Sequence, residues 1–222
     1  MLIIKNRIVS LLYRSIGFIL LITSLYFYMD EIGSVQEAII HFDIQSCFLY
    51  LFALGIEIIA NAIDLRHGII GIPAGANMKF ALPCLTYATS SSILYFALTI
   101  NEHPSMYTKI GILFHLCLLL ISLFDWLLFA EKGTVRWYNA FFSLIYPIYY
   151  LVFVLLRTHI WPDIKLYNGA DIYPYDFLNP KKTYFPGYIC LALIILYSYN
   201  LFFLFLNNIL SAKYKHLFAK DE

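Results

Sequence analysis

The sequence predicts an all-α polytopic integral membrane protein, a six-transmembrane-helix bundle with both termini cytoplasmic, forming one domain over residues 1–222. Apolar residues make up 61% of the chain and charged residues 13%, against roughly 25% charged in an average soluble domain. The mean hydropathy is +0.74. The apolar residues also gather into six long runs, at about 11–29, 43–62, 80–100, 110–129, 138–156 and 187–210, each close to the roughly 20 residues that cross a bilayer as a helix. A net charge of +1 without a basic stripe of interleaved aromatics excludes nucleic acid as a partner. Membrane lipids are the expected surroundings, and the cell membrane the expected location.

Met1 to Ser10 is a short basic leader with Lys5 and Arg7. The run Leu11 to Met29 reads as the first span rather than a signal peptide, because it is long, ends in Tyr26-Phe27-Tyr28-Met29 and lacks an A-x-A-like site. Arg14 within it is expected to snorkel to the cytoplasmic surface. Asp30 to His41 is a polar, acidic loop. The second span, Asp43 to Ala62, holds Glu57 and Asn61. Ile63 to Lys79 reads as a flexible Gly- and Pro-bearing turn whose spacing is neither GxGxxG nor a P-loop.

The third span, Phe80 to Ile100, contains Pro83 and the run Thr86, Thr89, Ser90, Ser91, Ser92. Small hydroxyl residues let helices approach closely and bond across the interface. A catalytic serine is the weaker reading, since no GxSxG elbow is present. Asn101 to Lys109 is a short loop with His103 and Pro104. The fourth span, Ile110 to Phe129, carries His115 near one end and Asp125 near the other, roughly 15 Å apart along a helix. Ionisable groups there are costly in lipid and should face protein or water. The fifth span, Tyr138 to Leu156, has Pro147 in its middle, which kinks a helix and frees a carbonyl. Arg157 to Pro186 is the longest loop, and Gly187 to Leu210 the sixth span. Cys47, Cys84, Cys117 and Cys190 each sit inside a predicted span without a CxxC pair, as small buried hydrophobes do.

The positive-inside rule sets the orientation. With the N-terminus in the cytoplasm, Lys5, Arg7, Arg14, Arg66, Lys79, Lys132, Arg136, Lys213, Lys215 and Lys220 lie inside, and Lys109, Arg157, Lys165, Lys181 and Lys182 outside. Polar residues then divide into an outer set (His41, Asp43, His103, His115) and an inner set. A buried His beside a carboxylate is suited to act as base, acid or proton relay, the plainer alternative being a histidine bonded to a neighbouring helix. Asp43 is equally placed to cap the second helix. Glu57 is expected to pair with Arg66 or stay protonated, and Asp125 to join an interfacial ion pair with Lys132 or Arg136. The outer set lacks an HxxxH spacing, so neither a metal nor another cofactor is predicted. Tyr173-Pro174-Tyr175 fits an interfacial aromatic cover over an outer cavity.

The ordered segments FHLCLLLISLFDWLLF, Lys132-Gly133, Arg136-Trp137, SLIYPIYYLVFVLLR and IYPYDFLNP resemble the bacterial six-span relatives of the androgen-induced (androgen-dependent TFPI-regulating protein-like) membrane threonine hydrolases. The resemblance covers about Phe42 to Asn179. Phe42-Asp43-Ile44-Gln45-Ser46-Cys47 looks like the family's Phe-Thr-x-x-Ser-Asn segment. Animal members cleave fatty acid esters of hydroxy fatty acids with a Thr nucleophile and a His partner. Carried over, the His falls on His115 and the Thr on Asp43. The Asn becomes Cys47, and a proline usual about one turn beyond the His is replaced at Leu118 and Leu119.

The resemblance implies a hydrolase of lipid-like esters with a site at the outer membrane face, the catalytic threonine replaced by Asp43. His115 would be general base or acid, Asp43 its orienting partner or the nucleophile. Gln45 or Ser46 would supply an oxyanion donor, with Tyr173 and Tyr175 in support. A carboxylate cannot form the ester intermediate that a hydroxyl forms. The alternative is therefore a non-catalytic membrane protein that binds lipid or a partner, or passes a small solute. A metal-dependent enzyme using the outer His and Asp is a third reading.

Overall fold

A computed structural model describes residues 4–99, 108–163, 165–166 and 171–218; His103 and Pro104 lie outside them. Several helices begin where a side chain can take up the amides that a first turn leaves without partners. Asn6 Oδ1 accepts from the amides of Ile8 and Val9 and starts α1 (Arg7–Ile32). Ser34 caps the short α2 (Val35–Ala38) through the Glu37 amide. Asn77 caps α4 (Met78–Leu94) and Thr108 caps α5 (Lys109–Phe129). The remaining helices are α3 (Phe42–Arg66), α6 (Phe142–Ile160), entered through a 3-10 turn over Trp137–Phe141, and α7 (Phe185–Phe218). α1 stops at Gly33, whose φ of 95° is open to glycine and whose amide bonds back to Met29 and Asp30.

Among the described residues, five helices are long and apolar enough to cross a membrane: Arg7–Ile32, Phe42–Arg66, Lys109–Phe129, Trp137–Ile160 and Phe185–Ser211. This is the pattern of a multi-pass membrane protein. The third expected span is a 17-residue α4, continued as a π-helical turn over Tyr95–Thr99. Several helices outrun the apolar runs. α1 starts at Arg7 rather than Leu11, and α3 continues to Arg66, because the polar residues at those ends bond to protein.

α1, α3, α4 and α5 pack around a shared core of Leu21, Leu25, Ile44, Cys47, Leu54, Phe114 and Leu118. α6 and α7 pack against the other side of α4 and against each other. α4 is thus the central helix, and every residue from Leu82 to Ser92 is buried. Its hydroxyls fit there because they bond to their own helix: Thr86 to Leu82 O (2.9 Å), Thr89 to Leu85 O (2.8 Å) and Ser92 to Ala88 O (2.9 Å).

At the end of the bundle where α1 begins, Arg14 does not snorkel. It is fully buried, its Nε 2.7 Å from Asp125 Oδ1 and its Nη2 3.1 Å from Glu57 Oε2, while Nη1 donates to Ala74 O at 2.7 Å. Glu57 therefore pairs with Arg14 and not Arg66, and Asp125 with Arg14 and not Lys132 or Arg136. Lys132 instead donates to the carbonyls of Trp126 and Ala130 and lies 4.2 Å over the Trp126 ring. The stretch read as a flexible turn is tied down. Asn61 brackets Ala74 through both its amide and its carbonyl, the Ala76 amide donates to Glu57 Oε1, and Arg7 donates to the carbonyls of Ile69 and Ile72 while pairing with Asp64 at 3.2 Å.

Candidate functional site

Asp43 sits in the first turn of α3 and His115 two turns into α5. α4 intervenes in the chain, yet α1, α3, α4 and α5 share one core, and the side chains meet: His115 Nε2 lies 3.1 Å from Asp43 Oδ2. The approach is too oblique for a well-formed N–H bond, so the pair is a close polar contact, with no other partner for either ring nitrogen among the described residues. His115 is wholly buried and Asp43 is 6% exposed. Asp43 does not cap α3 from the N-cap position, which His41 occupies; its Oδ1 accepts from the Ile44 amide at 2.9 Å. The Tyr28 hydroxyl, from α1, donates to Asp43 Oδ2 at 3.3 Å. The His115 ring is stacked on Tyr95 at 3.8 Å between centroids and meets Tyr28 edge-on at 5.5 Å. Apolar aromatic walls of this kind lower the local dielectric and strengthen a polar contact.

Asp43 opens onto a cavity of about 510 Å³, within the roughly 300–1,000 Å³ of ligand pockets. Its walls come from Tyr28, His41, Phe42 and Asp43, from Ser90 to Tyr95 except Ser92, from Pro147, Tyr150 and Leu151 of α6, from Tyr175 to Leu178, and from α7 between Tyr188 and Tyr199. His115 is not among them; it stands behind Asp43. The 3-10 turn Asp176–Leu178 covers one side, held to the turn that leads into α7, where Tyr184 donates to Asp176 Oδ2 at 2.5 Å and Lys182 pairs with Asp176 Oδ1 at 3.3 Å. These two partners hold the Asp176 carboxyl below its ordinary range.

The other expected site residues are placed differently. Tyr175 lines the cavity, whereas Tyr173 packs with Phe42, Tyr87, Tyr150 and Leu178 beside it. Gln45 Nε2 donates to Ile39 O at 2.6 Å and its Oε1 accepts from Tyr146 at 2.5 Å, and Ser46 Oγ donates to Phe42 O at 2.6 Å. Neither lines the cavity, so neither offers an oxyanion donor there. Ser90 and Ser91, read as packing residues, do face it. Tyr28 was not singled out in the sequence; only its place at the end of the first span opposite Asp43 hints at it. Of the outer set, His41 lines the cavity, His103 is outside the described residues, and no group of three or more His, Cys, Asp or Glu among the described residues is placed to hold a metal.

No family model, curated protein or solved structure matches the chain.

Proposed function

We propose that this chain is a six-span protein of the cell membrane, both termini on the cytoplasmic side, that takes a lipid-like acyl ester into the cavity and hydrolyses it at Asp43. One observation supports this above the others: a carboxyl at the wall of a largely apolar cavity, with a buried imidazole 3.1 Å behind it. In the Ser-His-Asp arrangement the imidazole faces the substrate and the carboxylate stands behind. Here the order is reversed, which favours Asp43 as the base that activates water over a nucleophile assisted by His115. Asp43 takes a proton from water, the water oxygen attacks the ester carbonyl, and the proton passes to the departing alkoxide. The products are the acid and the alcohol. Tyr28, at the same wall, donates its hydroxyl to that carboxyl. His115 is a positioning residue that fixes Asp43 through the polar contact.

Hydrolysis of a panel of long-chain acyl esters by the purified protein, beside Asp43→Asn and His115→Gln, tests this. Loss of about 10²–10⁴-fold in Asp43→Asn is the expected size for a removed base. His115→Gln should keep part of the rate with a displaced pH profile. Turnover unchanged in Asp43→Asn would sink the reading. A second reading, binding without turnover, is favoured by the engagement of Gln45 and Ser46 elsewhere. It wins if the protein keeps a lipid stoichiometrically and never converts it.

A further inference from the structure

The cavity's position between α4 and α7 bears on which ester it would take and how that ester would reach it. The two helices run antiparallel. Toward the Arg14 end of the bundle they are tied: Thr86 Oγ1 shares its one proton between Leu82 O at 2.9 Å and Asn200 Oδ1 at 3.0 Å, and Asn200 Nδ2 donates to Ala140 O at 3.2 Å. Leu82 and Leu85 share a core there with Phe203 and Leu204. One turn further along α4 the contact gives way to cavity, with Ser90, Ser91 and Leu94 on one wall and Leu191, Ile195 and Leu196 on the other. The space between the helices is therefore a wedge, closed at one end and widening toward the π-helical turn. Its rim is half exposed on the outside of the bundle, with Ile93 at 46%, Leu94 at 40%, Leu191 at 50% and Ile195 at 53%. Apolar side chains that line the cavity and keep this much accessible surface suit the passage of acyl chains.

The polar side of the cavity is equally selective. Among the described residues its walls hold no Lys or Arg, while two carboxyl groups, Asp43 and Asp176, belong to them. Asp176 is matched by Lys182; Asp43, at the buried end, meets His115, Tyr28 and the Ile44 amide, and shares its wall with the His41 imidazole. A phosphate or carboxylate brought to that end would meet a carboxyl group with imidazoles but no Lys or Arg beside it among the described residues, and juxtaposed like charges disfavour a partner strongly.

We propose that the cavity admits an uncharged single-chain amphiphile sideways from the bilayer, through the α4–α7 wedge, with its hydroxyl-bearing head at Asp43 and its chain between Leu94 and Ile195. The inference rests on the cavity being the ligand site, as argued above, and narrows the ester to one without an anionic group.

The test uses ligands that cannot be hydrolysed, so that binding and turnover fail separately. The purified wild-type chain in lipid nanodiscs is offered a long-chain alkylglycerol ether or an alkyl phosphate of the same chain, and bound ligand is counted by native mass spectrometry. The alkylglycerol should be retained, and the phosphate should bind at least about tenfold more weakly. Equal affinity, tighter phosphate binding or retention of neither overturns the inference. Leu94→Lys, at the rim, should narrow the gap between the two ligands. Leu191→Trp should fill the wedge and cut alkylglycerol loading several-fold without lowering the melting temperature; undiminished loading overturns the sideways route. Retention of the ether without hydrolysis of the matching ester leaves this inference standing and removes the hydrolase reading.

Discussion

Arg14 Nε donates to Asp125 Oδ1 over 2.7 Å, joining α1 to α5 where the arginine reaches no solvent. Glu57 on α3 completes the cluster, so one guanidinium fastens three helices and the Ala74 carbonyl. Removing one member of a buried ion cluster leaves uncompensated charge, at about 3–5 kcal/mol. Arg14→Met should therefore lower the melting temperature sharply. Combining it with Glu57→Gln and Asp125→Asn removes the orphaned charges and should recover much of the loss. A triple variant no more stable than Arg14→Met, measured by thermal unfolding in one detergent, would refute the account.

Gly133 lies in the turn after α5 with φ 80°, and a Cβ added there would overlap Ser211 Oγ and Cβ on α7. Two separate costs follow for Gly133→Ala: the left-handed backbone, about 1–3 kcal/mol, and the overlap. Ser211→Gly in the same chain should relieve the second and leave the first. Gly33→Ala, with φ 95° but open space around the Cβ, should show the backbone cost alone. Equal melting temperatures for Gly33→Ala and Gly133→Ala would contradict this.

The helices themselves were legible because long apolar runs with polar interruptions leave few alternatives, and the shared depth of Asp43 and His115 could be read from the same spacing. Rotation could not. A helix apolar on nearly every side carries a weak periodic signal, so nothing in the first span says that Arg14 points inward at Glu57 while Ile16, 58% exposed, points out. For the same reason Tyr28 and Tyr95 escaped notice as neighbours of His115. The Ile63 to Lys79 stretch misled through composition: glycine and proline mark a turn, but its order comes from Arg7, Arg14 and Asn61, which lie 13 to 65 positions away. Gln45 and Ser46 were placed correctly beside Asp43 in sequence, yet a helix turns about 100° per residue and carries their side chains off the cavity wall.

Asn61 holds Ala74 with two hydrogen bonds, 2.9 Å each, and the residue is fully buried. Asn61→Leu leaves the Ala74 amide without its partner, at about 1–3 kcal/mol for a buried group left unsatisfied, while the Ala74 carbonyl keeps its bond from Arg14. The expected outcome is a lower melting temperature together with faster hydrogen exchange at the Ala74 and Ala76 amides, while amides in the middle of α4 keep their protection. Uniform loss of protection along the chain would mean that Asn61 supports the whole bundle rather than this loop.

The Asp176 turn at the rim of the cavity should respond to acid. Its carboxyl accepts from Tyr184 and pairs with Lys182, contacts made to the ionised form, and its pKa is held below the usual value. A depressed carboxyl contributes its stabilisation in full above the unfolded value, about 3.9, and loses it as pH falls through the lower folded value. The turn over Asp176–Leu178 should accordingly stay fastened to the segment that leads into α7 at neutral pH and loosen only below about pH 4. Hydrogen exchange at the Leu178 and Asn179 amides, which bond to Tyr175 O and Asp176 O, reports this once corrected for the intrinsic pH dependence. Asp176→Asn should show the acid-loosened rates at neutral pH, and Tyr184→Phe an intermediate state, with the melting temperature nearly unchanged because these side chains are exposed to solvent. Protection that is the same in Asp176→Asn as in the wild type would mean that apolar packing of Leu178, 3% exposed against Phe42 and Tyr150, holds the turn unaided.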